Sequence, residues 1–347
     1  MEKEHKKKLS IWIKIAISVV SIIIVILVST IIFINVELNK INDINEVEVV
    51  PPEEEYFETA SSEEEYIEIA PSIKDISKES VIGDKSNITW PTDNEVLQDE
   101  DIINILLVGQ DRRPGETRAR SDTMMIATIN QKNDTIKLTS IMRDLYVQIP
   151  GYSDNRINSA YAFGGMKLLD KTIEKNFQLR IDYNIEVDFD RFIKVIDKLG
   201  KVDVSINKKE AEYLGVQGFA GLSEGMVQMD GSMALAYCRI RYVGNADYER
   251  TDRQRRVIKS EFNKVKSLGL NKILDLVNEI FPLVGTDLSN GEMIKYATSV
   301  AMMGVEDIGT LRIPVNDTYT GKKIRGMSVL VPDLDKNRTA LKDFIYN

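Results

Sequence analysis

The chemistry-bearing feature of this chain is arginine. Arg239, Arg241, Arg250, Arg253, Arg255 and Arg256 fall within 18 residues, and no lysine occurs between Ala236 and Val257. A solvated helix face usually mixes Lys with Glu. A run made of Arg alone suits bidentate capture of phosphate oxygens, because the guanidinium fork matches them and never loses its charge. Two further polar clusters stand upstream. Asp111-Arg112-Arg113 follows an apolar run, and Arg120-Ser121-Asp122 precedes another. Asp111 and Asp122 flank one loop, and two carboxylates beside several Arg suit a hard cation shared with a phosphate. A third cluster is Met142-Arg143-Asp144. Taken singly, each cluster reads equally well as ordinary surface ion pairing.

Histidine and cysteine chemistry is excluded. The single His is His5, in a charged tail, and the single Cys is Cys238. No His-dependent triad, Cys-rich zinc site or intramolecular disulfide can be built from them. Cys238 reads as a small buried apolar residue, with reactivity as the minor alternative in its cationic neighbourhood.

The clusters need elements to hold them. Asn104–Gly109, Met124–Ile129 and Ile136–Ile141 read as strands, the last two joined by the turn Lys132-Asn133-Asp134. Asn158–Phe163 and Met166–Phe177 have helical spacing, Ile185–Phe189 alternates as a strand, and Phe192–Leu199 is a helix ended by Gly200. Val202–Ile206 is a strand. Asp230–Arg241, Thr251–Lys266, Lys272–Phe281 and Gly291–Met303 read as helices, Leu311–Val315 as a strand and Lys336–Ile345 as a terminal helix. Interleaved strands and helices define an α/β chain with one α-β-α layered domain over 101–347.

Charge divides the rest. The chain has 347 residues and a formal net charge of −9. Residues 1–14 are Lys-rich, 15–34 carry no charge, and the acidic excess is confined to 35–100, where the block EEEY at Glu53 recurs at Glu63. About 20 uncharged apolar residues cross a bilayer. The run continues through Ile34 without a small-x-small cleavage site, so 15–34 is expected to be a retained transmembrane signal-anchor helix rather than a cleaved signal peptide. The Lys-rich tail 1–14 then lies in the cytoplasm and everything after the helix outside. Residues 35–100 read as an extended, self-repelling stalk, with Trp90 and Pro91 touching the domain edge. Outward topology argues against a nucleic-acid partner for the arginines.

These motifs resemble the LytR-CpsA-Psr family of bacterial cell-envelope proteins. The carrying segments are Asn104–Arg113, Arg120–Thr123, Thr139–Asp144, Ile157–Gly165, Ala234–Arg241 and Arg250–Gln254, in family order across 102–265. One departure is Met142, where the family usually has Pro before the arginine. The resemblance implies a layered domain with a central mixed sheet. It also implies a phosphotransferase that moves an anionic glycopolymer, such as teichoic acid or capsule, from an undecaprenyl-pyrophosphate carrier at the plasma membrane to a peptidoglycan hydroxyl. Carried over residue by residue, Asp111 and Asp122 hold Mg²⁺. Arg120, Arg143, Arg239, Arg241 and Arg250 clamp the pyrophosphate, Gln254 supports them, and Arg113 and Arg253 are further members. Asp122, Arg143 and Arg241 are then the catalytic set, with Asp122 or Asp144 taking the acceptor's proton. Phosphoryl transfer asks mainly for positioning and charge neutralisation, which Arg and Mg²⁺ supply without His. A membrane-anchored non-enzymatic regulator of envelope genes and a lipid-pyrophosphate hydrolase remain the alternatives.

Overall fold

The computed structural model describes residues 42–43, 88–92, 95–110 and 121–347. The expected anchor 15–34 and the acidic repeats at Glu53 and Glu63 lie outside the described residues, as do Asp111, Arg113 and Arg120. Among the described residues no helix is long and apolar enough to cross a membrane.

Three strands open the domain: β1 (Ile102–Gln110), β2 (Ser121–Asn130) and β3 (Thr135–Ile141). Two short strands follow, β4 (Tyr146–Val147) and β5 (Asn155–Arg156), then helix α1 (Asn158–Phe177). Its two sequence-predicted halves form one run interrupted at Gly164 and Gly165. Gly165 sits at φ 64° and ψ −157°, a conformation that a side chain would resist. Next come β6 (Tyr183–Asp188) and α2 (Phe189–Leu199), capped by the Asp188 carboxylate and closed by Gly200 at φ 82°. Phe189, read as the end of the strand, is instead the first residue of that helix, because the Asp188 side chain accepts from the Arg191 amide and starts the turn there.

β7 (Val202–Ile206), α3 (Lys208–Val216) and β8 (Gly225–Met229) form a small lobe with α4 (Gly231–Arg239). Helix α3 and strand β8 were not expected. The sequence signal of α3 is the capping box, in which the Asn207 side chain accepts from the Glu210 amide and Glu210 accepts from that of Asn207. α4 ends at Arg239, two residues before the expected end, because Ile240 turns to ψ 123° and buries its side chain.

The chain continues through α5 (Ala246–Val265), α6 (Leu270–Ile280), β9 (Gly285–Thr286) and α7 (Asn290–Met302). It closes with β10 (Gly309–Ile313), the hairpin β11 (Tyr319–Ile324) and β12 (Met327–Pro332), and α8 (Leu334–Tyr346).

The body of the central sheet runs β9-β6-β1-β2-β3-β10. β1 is parallel to β6 and antiparallel to β2, and β3 is antiparallel to β2 and parallel to β10. The expected mixed sheet is therefore present. Both faces are covered. Leu106, Met124 and Ile126 pack with Leu169 and Ile173 of α1 and Leu341 and Ile345 of α8. Met125 and Leu138 face the other way, against Ile258 and Phe262 of α5. Successive strand side chains point to opposite faces, so burial of the neighbours Met124 and Met125 marks a sheet between two helical layers. Residues placed by sequence in the spacer also join the domain. Trp90 donates from Nε1 to Asp154 Oδ2 at 2.7 Å and stacks on Tyr146, and the Leu97 amide donates to the Gln178 carbonyl at 2.8 Å.

Candidate active site

Sheet direction assembles the site. β2 runs antiparallel between β1 and β3, so its first residues meet the last residues of both, with Gln110 opposite Ser121 and Met125 opposite Ser140. Asp122, near the start of β2, therefore meets Arg143, two residues beyond the end of β3. Arg143 Nη1 donates to Asp122 Oδ1 at 2.8 Å.

Helix α5 lies across this edge. Asp247, Arg250 and Gln254 are spaced three and four apart and share one helical face. Gln254 Nε2 donates to Thr123 Oγ1 at 2.8 Å, and Arg250 Nη2 to the Asp122 carbonyl at 3.4 Å. Asp247 receives three arginines: Arg250 Nη1 at 3.2 Å, Arg241 Nε at 3.4 Å and Arg143 Nε at 3.5 Å. Asp144 completes the network, 3.8 Å from Arg143 Nε and 3.4 Å from Arg156 Nε. Asp122, Arg143, Arg241, Arg250 and Gln254 are thus brought together at one edge of the sheet.

Asp247 was missed by sequence reasoning. Its signal was available: an acid in the first turn of a helix, three residues before an arginine.

Two expected residues stand elsewhere. Arg239 places its guanidinium 4.5 Å from the centre of the Phe189 ring. Arg253, expected on the pyrophosphate, is fully buried. Its Nε donates to Glu210 Oε1 at 2.7 Å, Nη1 to the Ile240 carbonyl at 3.0 Å and Nη2 to the Val243 carbonyl at 2.8 Å. With its guanidinium so engaged and no surface exposed, Arg253 holds the loop that carries Arg241 and offers nothing to a ligand. Glu210, also fully buried, is its counter-charge.

The electrostatics of the cluster follow from burial and crowding. Burial pushes Arg250 down to about 10, against the pull of Asp247, and the charges of Arg143 and Arg241 add to the depression. Burial also opposes the charge on Arg143, but Asp144, Asp247 and Asp122 outweigh it and raise its affinity for the proton. The two neighbouring carboxyls diverge. Burial holds Asp144 above the usual carboxylate range, against Arg143 and Arg156. Burial would do the same to Asp247, but Arg250, Arg143 and Arg241 hold it below, helped by a hydrogen bond from Asp144. Arg143 Nε, Arg250 Nε, Asp144 Oδ1 and Asp247 Oδ1 are buried without a hydrogen-bond partner. Cys238 is buried, and burial pushes its thiol up to about 12, as suits an unreactive packing residue.

Among the described residues no group of three or more His, Cys, Asp or Glu could hold a metal. Magnesium does not require one, because it commonly takes one or two carboxylates and completes its shell with phosphate oxygens and water. Asp122 fits that need: it stands at the rim with its side chain 31% exposed, beside the arginines.

A mixed sheet between two helical layers, with an arginine–aspartate network at one strand edge, defines the class: an α/β domain with a charged cluster at its sheet edge. Comparison with known proteins gives the lineage. The LytR_cpsA_psr family model matches residues 59–343, and the chain belongs to that family. It is 31% identical over 256 residues to "Regulatory protein MsrR" of Staphylococcus aureus (strain Mu50 / ATCC 700699), covering 73% of this chain and 77% of that protein. It is 35% identical over 216 residues to the "Polyisoprenyl-teichoic acid--peptidoglycan teichoic acid transferase TagU" of Oceanobacillus iheyensis, covering 60% of this chain and 66% of that one. Among solved structures, Bacillus subtilis TagV superposes with a TM-score of 0.60 at 26% identity, over 72% of this chain and 98% of that one. TagT with bound octaprenyl pyrophosphate lipid superposes with a TM-score of 0.56 at 26% identity, over 71% and 91%.

Proposed function

We propose that this protein is a membrane-anchored phosphotransferase. It moves an anionic cell-wall glycopolymer from a polyprenyl-pyrophosphate carrier to a hydroxyl of peptidoglycan, outside the cell. The observation that carries the reading is the convergence of Arg143, Arg241 and Arg250 on Asp247 and Asp122. The relatives named as teichoic acid transferases, and the lipid pyrophosphate bound by TagT, support the choice of substrate.

In this reading the acceptor oxygen attacks the phosphorus that carries the glycan. A new P–O bond forms, the bond to the bridging oxygen breaks, and polyprenyl phosphate leaves with the electron pair. Arg143, Arg241 and Arg250 hold the non-bridging oxygens and meet the charge that develops on the leaving phosphate. Gln254 fixes the strand end through Thr123. The proton of the acceptor hydroxyl passes to Asp122, the carboxylate of the cluster that stands at the rim. Asp122, together with Asp111, would hold Mg²⁺, which when bound supplies additional positive charge to the pyrophosphate.

The test uses the full-length protein in detergent with a lipid-linked anionic glycan and peptidoglycan. Wild type should attach glycan to peptidoglycan, and Arg143→Ala should not. Glycan released into water at equal rate with and without peptidoglycan identifies a hydrolase. Binding of the lipid without turnover supports the regulator reading. Normal attachment by Arg143→Ala refutes the site.

A further inference from the structure

Helix α5 carries a second charged stripe that the transfer chemistry does not use. Arg250 and Gln254 turn to the strand end at Asp122 and Thr123. Tyr248, Asp252 and Arg255, spaced four and three apart, form a neighbouring stripe of the same helix. The Arg255 side chain reaches back along the helix, and its Nη2 pairs with the Asp252 carboxylate. That bond holds the guanidinium within about one helical turn, roughly 5.4 Å, of the level of Tyr248. A second arginine arrives there from the sheet. Arg312, on β10, holds its guanidinium carbon 4.7 Å from the centre of the Tyr248 ring and donates from Nη2 to Asn316 Oδ1 at 2.6 Å. Strand register sets its direction. Arg312 stands opposite Ser140, and Ser140 opposite Met125, which packs on Ile258 and Phe262 of α5. All three side chains therefore leave the sheet on the α5 side.

The two arginines are short of negative charge. Among the described residues Arg255 has one carboxylate partner, Asp252, and Arg312 has none. Burial lowers the affinity of Arg255 for its proton, Asp252 opposes this, and the charges of Arg312 and Arg256 lower it further. Arg255 is only 9% exposed, yet its Nη1 has no hydrogen-bond partner. Arg312 Nε is buried without one, and so is the hydroxyl of Ser140, beside it in register. Donors held out of water cost free energy unless an acceptor meets them. The pair is still reachable, because the Asp252 side chain is 37% exposed and Asn316 is exposed. Two guanidinium forks from different elements, with a hydroxyl beside them, suit a ligand whose oxygens point in more than two directions. A tetrahedral phosphate offers that, and a planar carboxylate does not.

We infer that Arg255 and Arg312 form a second anion site, separate from the network around Asp247, that binds a phosphate group. The site does not depend on the phosphotransferase reading. Free inorganic phosphate and the phosphodiester of an anionic polymer share this chemistry, and the test separates them. Asp252 competes with the ligand for Arg255.

The experiment titrates the full-length protein in detergent by calorimetry at constant ionic strength. Inorganic phosphate and the diester glycerophosphoglycerol are titrated into Arg241→Ala protein, so that the first cluster contributes little. Adding Arg312→Gln should weaken the bound probe at least tenfold, the lower end for loss of one partner from a desolvated charge contact. Arg312→Lys keeps the charge without the fork and should fall between. Adding Asp252→Asn instead should tighten the probe several-fold, because Arg255 then has no carboxylate to give up; mere damage to the fold would not tighten binding. In otherwise wild-type protein, Arg312→Gln should leave the affinity for octaprenyl pyrophosphate within about twofold. Stronger binding of the ion identifies free phosphate as the ligand, and stronger binding of the diester identifies a polymer phosphodiester. Absence of binding by both probes overturns the site. So does an affinity unchanged by Arg312→Gln, or one that Asp252→Asn fails to tighten. An equal loss of octaprenyl pyrophosphate binding in Arg312→Gln would merge the two arginines with the first cluster and overturn a separate site.

Discussion

Replacing Arg253 with Ala should destabilise this protein rather than merely weaken its hold on a ligand. The side chain is fully buried and makes three directed hydrogen bonds, to Glu210, Ile240 and Val243. Its removal leaves Glu210 as a fully buried carboxylate without its nearest guanidinium, since Arg256 stands 3.5 Å away and is itself partly exposed. Breaking a buried pair from one side typically costs about 3–5 kcal/mol. Two carbonyls also lose their donor, though such terms do not simply add. Domains of this size shift by about 2–4 °C per kcal/mol, so the melting temperature should fall by roughly 6–20 °C. Arg253→Lys keeps a charge for Glu210 but cannot bridge both carbonyls, and should fall between wild type and Ala. Arg253→Met combined with Glu210→Leu should recover much of the loss, because neither charge is then stranded. Circular dichroism melts of the full-length variants, run beside binding of octaprenyl pyrophosphate, decide the matter. Wild-type melting with abolished binding in Arg253→Ala would refute the strut and return the residue to the clamp.

Arg241→Ala should abolish glycan attachment while melting within about 2 °C of wild type, since its side chain is 38% exposed and its ion pair with Asp247 is long; Arg241→Lys should rescue poorly, because an ammonium lacks the fork. Glu261 has both carboxylate oxygens buried without a partner, and burial, opposed by Lys264 and reinforced by Asp203, raises it to about 7. Its folded-state value lies above its unfolded one, so the stability it allows is full below about pH 4.5 and is lost as pH rises to about 7; Glu261→Gln should therefore gain up to about 3 kcal/mol over wild type at pH 8 but not at pH 4, and a pH-independent difference would contradict it. A fragment starting at Asp101 lacks the Trp90–Asp154 bond and the Leu97–Gln178 pairing, and should melt below one starting at residue 88; equal melts would show that this segment adds nothing.

The strands that build the site were legible because their signal is local. Asn104–Gly109 is a short apolar run ended by glycine, Ile136–Ile141 follows the turn Lys132-Asn133-Asp134, and both are strands in the central sheet. The helix stops were legible where glycine forces them, as at Gly200. The end of α4 was not, because Ile240 leaves the helix for tertiary reasons: its side chain is buried and its carbonyl goes to Arg253, 13 residues away. The β11–β12 hairpin turns through Arg325 and Gly326 at positive φ, a weaker pattern than Asn-Gly, and it passed unread. The arginine cluster was visible as composition, but the division of labour within it was not. Arg250 and Arg253 sit three apart on α5 and look alike in sequence; the first faces Asp247 and the second faces Glu210, and only packing separates them.

That division bears on how the clamp would take an anion. Its ion pairs to Asp247 run from 3.2 to 3.5 Å, longer than charge-assisted hydrogen bonds, and Arg143 Nε and Arg250 Nε are buried with no hydrogen-bond partner. The guanidiniums of Arg143 and Arg250 have already been largely taken from water, so much of their desolvation cost lies in the folded state. An arriving pyrophosphate exchanges long carboxylate contacts for short phosphate ones, and it relieves the mutual repulsion that, with burial, depresses Arg250. Buried pairs are screened weakly by salt, whereas exposed ones lose most of their attraction within a Debye length of about 10 Å at 0.1 M. Affinity for a lipid pyrophosphate should therefore fall only modestly between low and physiological salt. A steep salt dependence would mean that the anion is held by arginines at the surface and not by the network around Asp247.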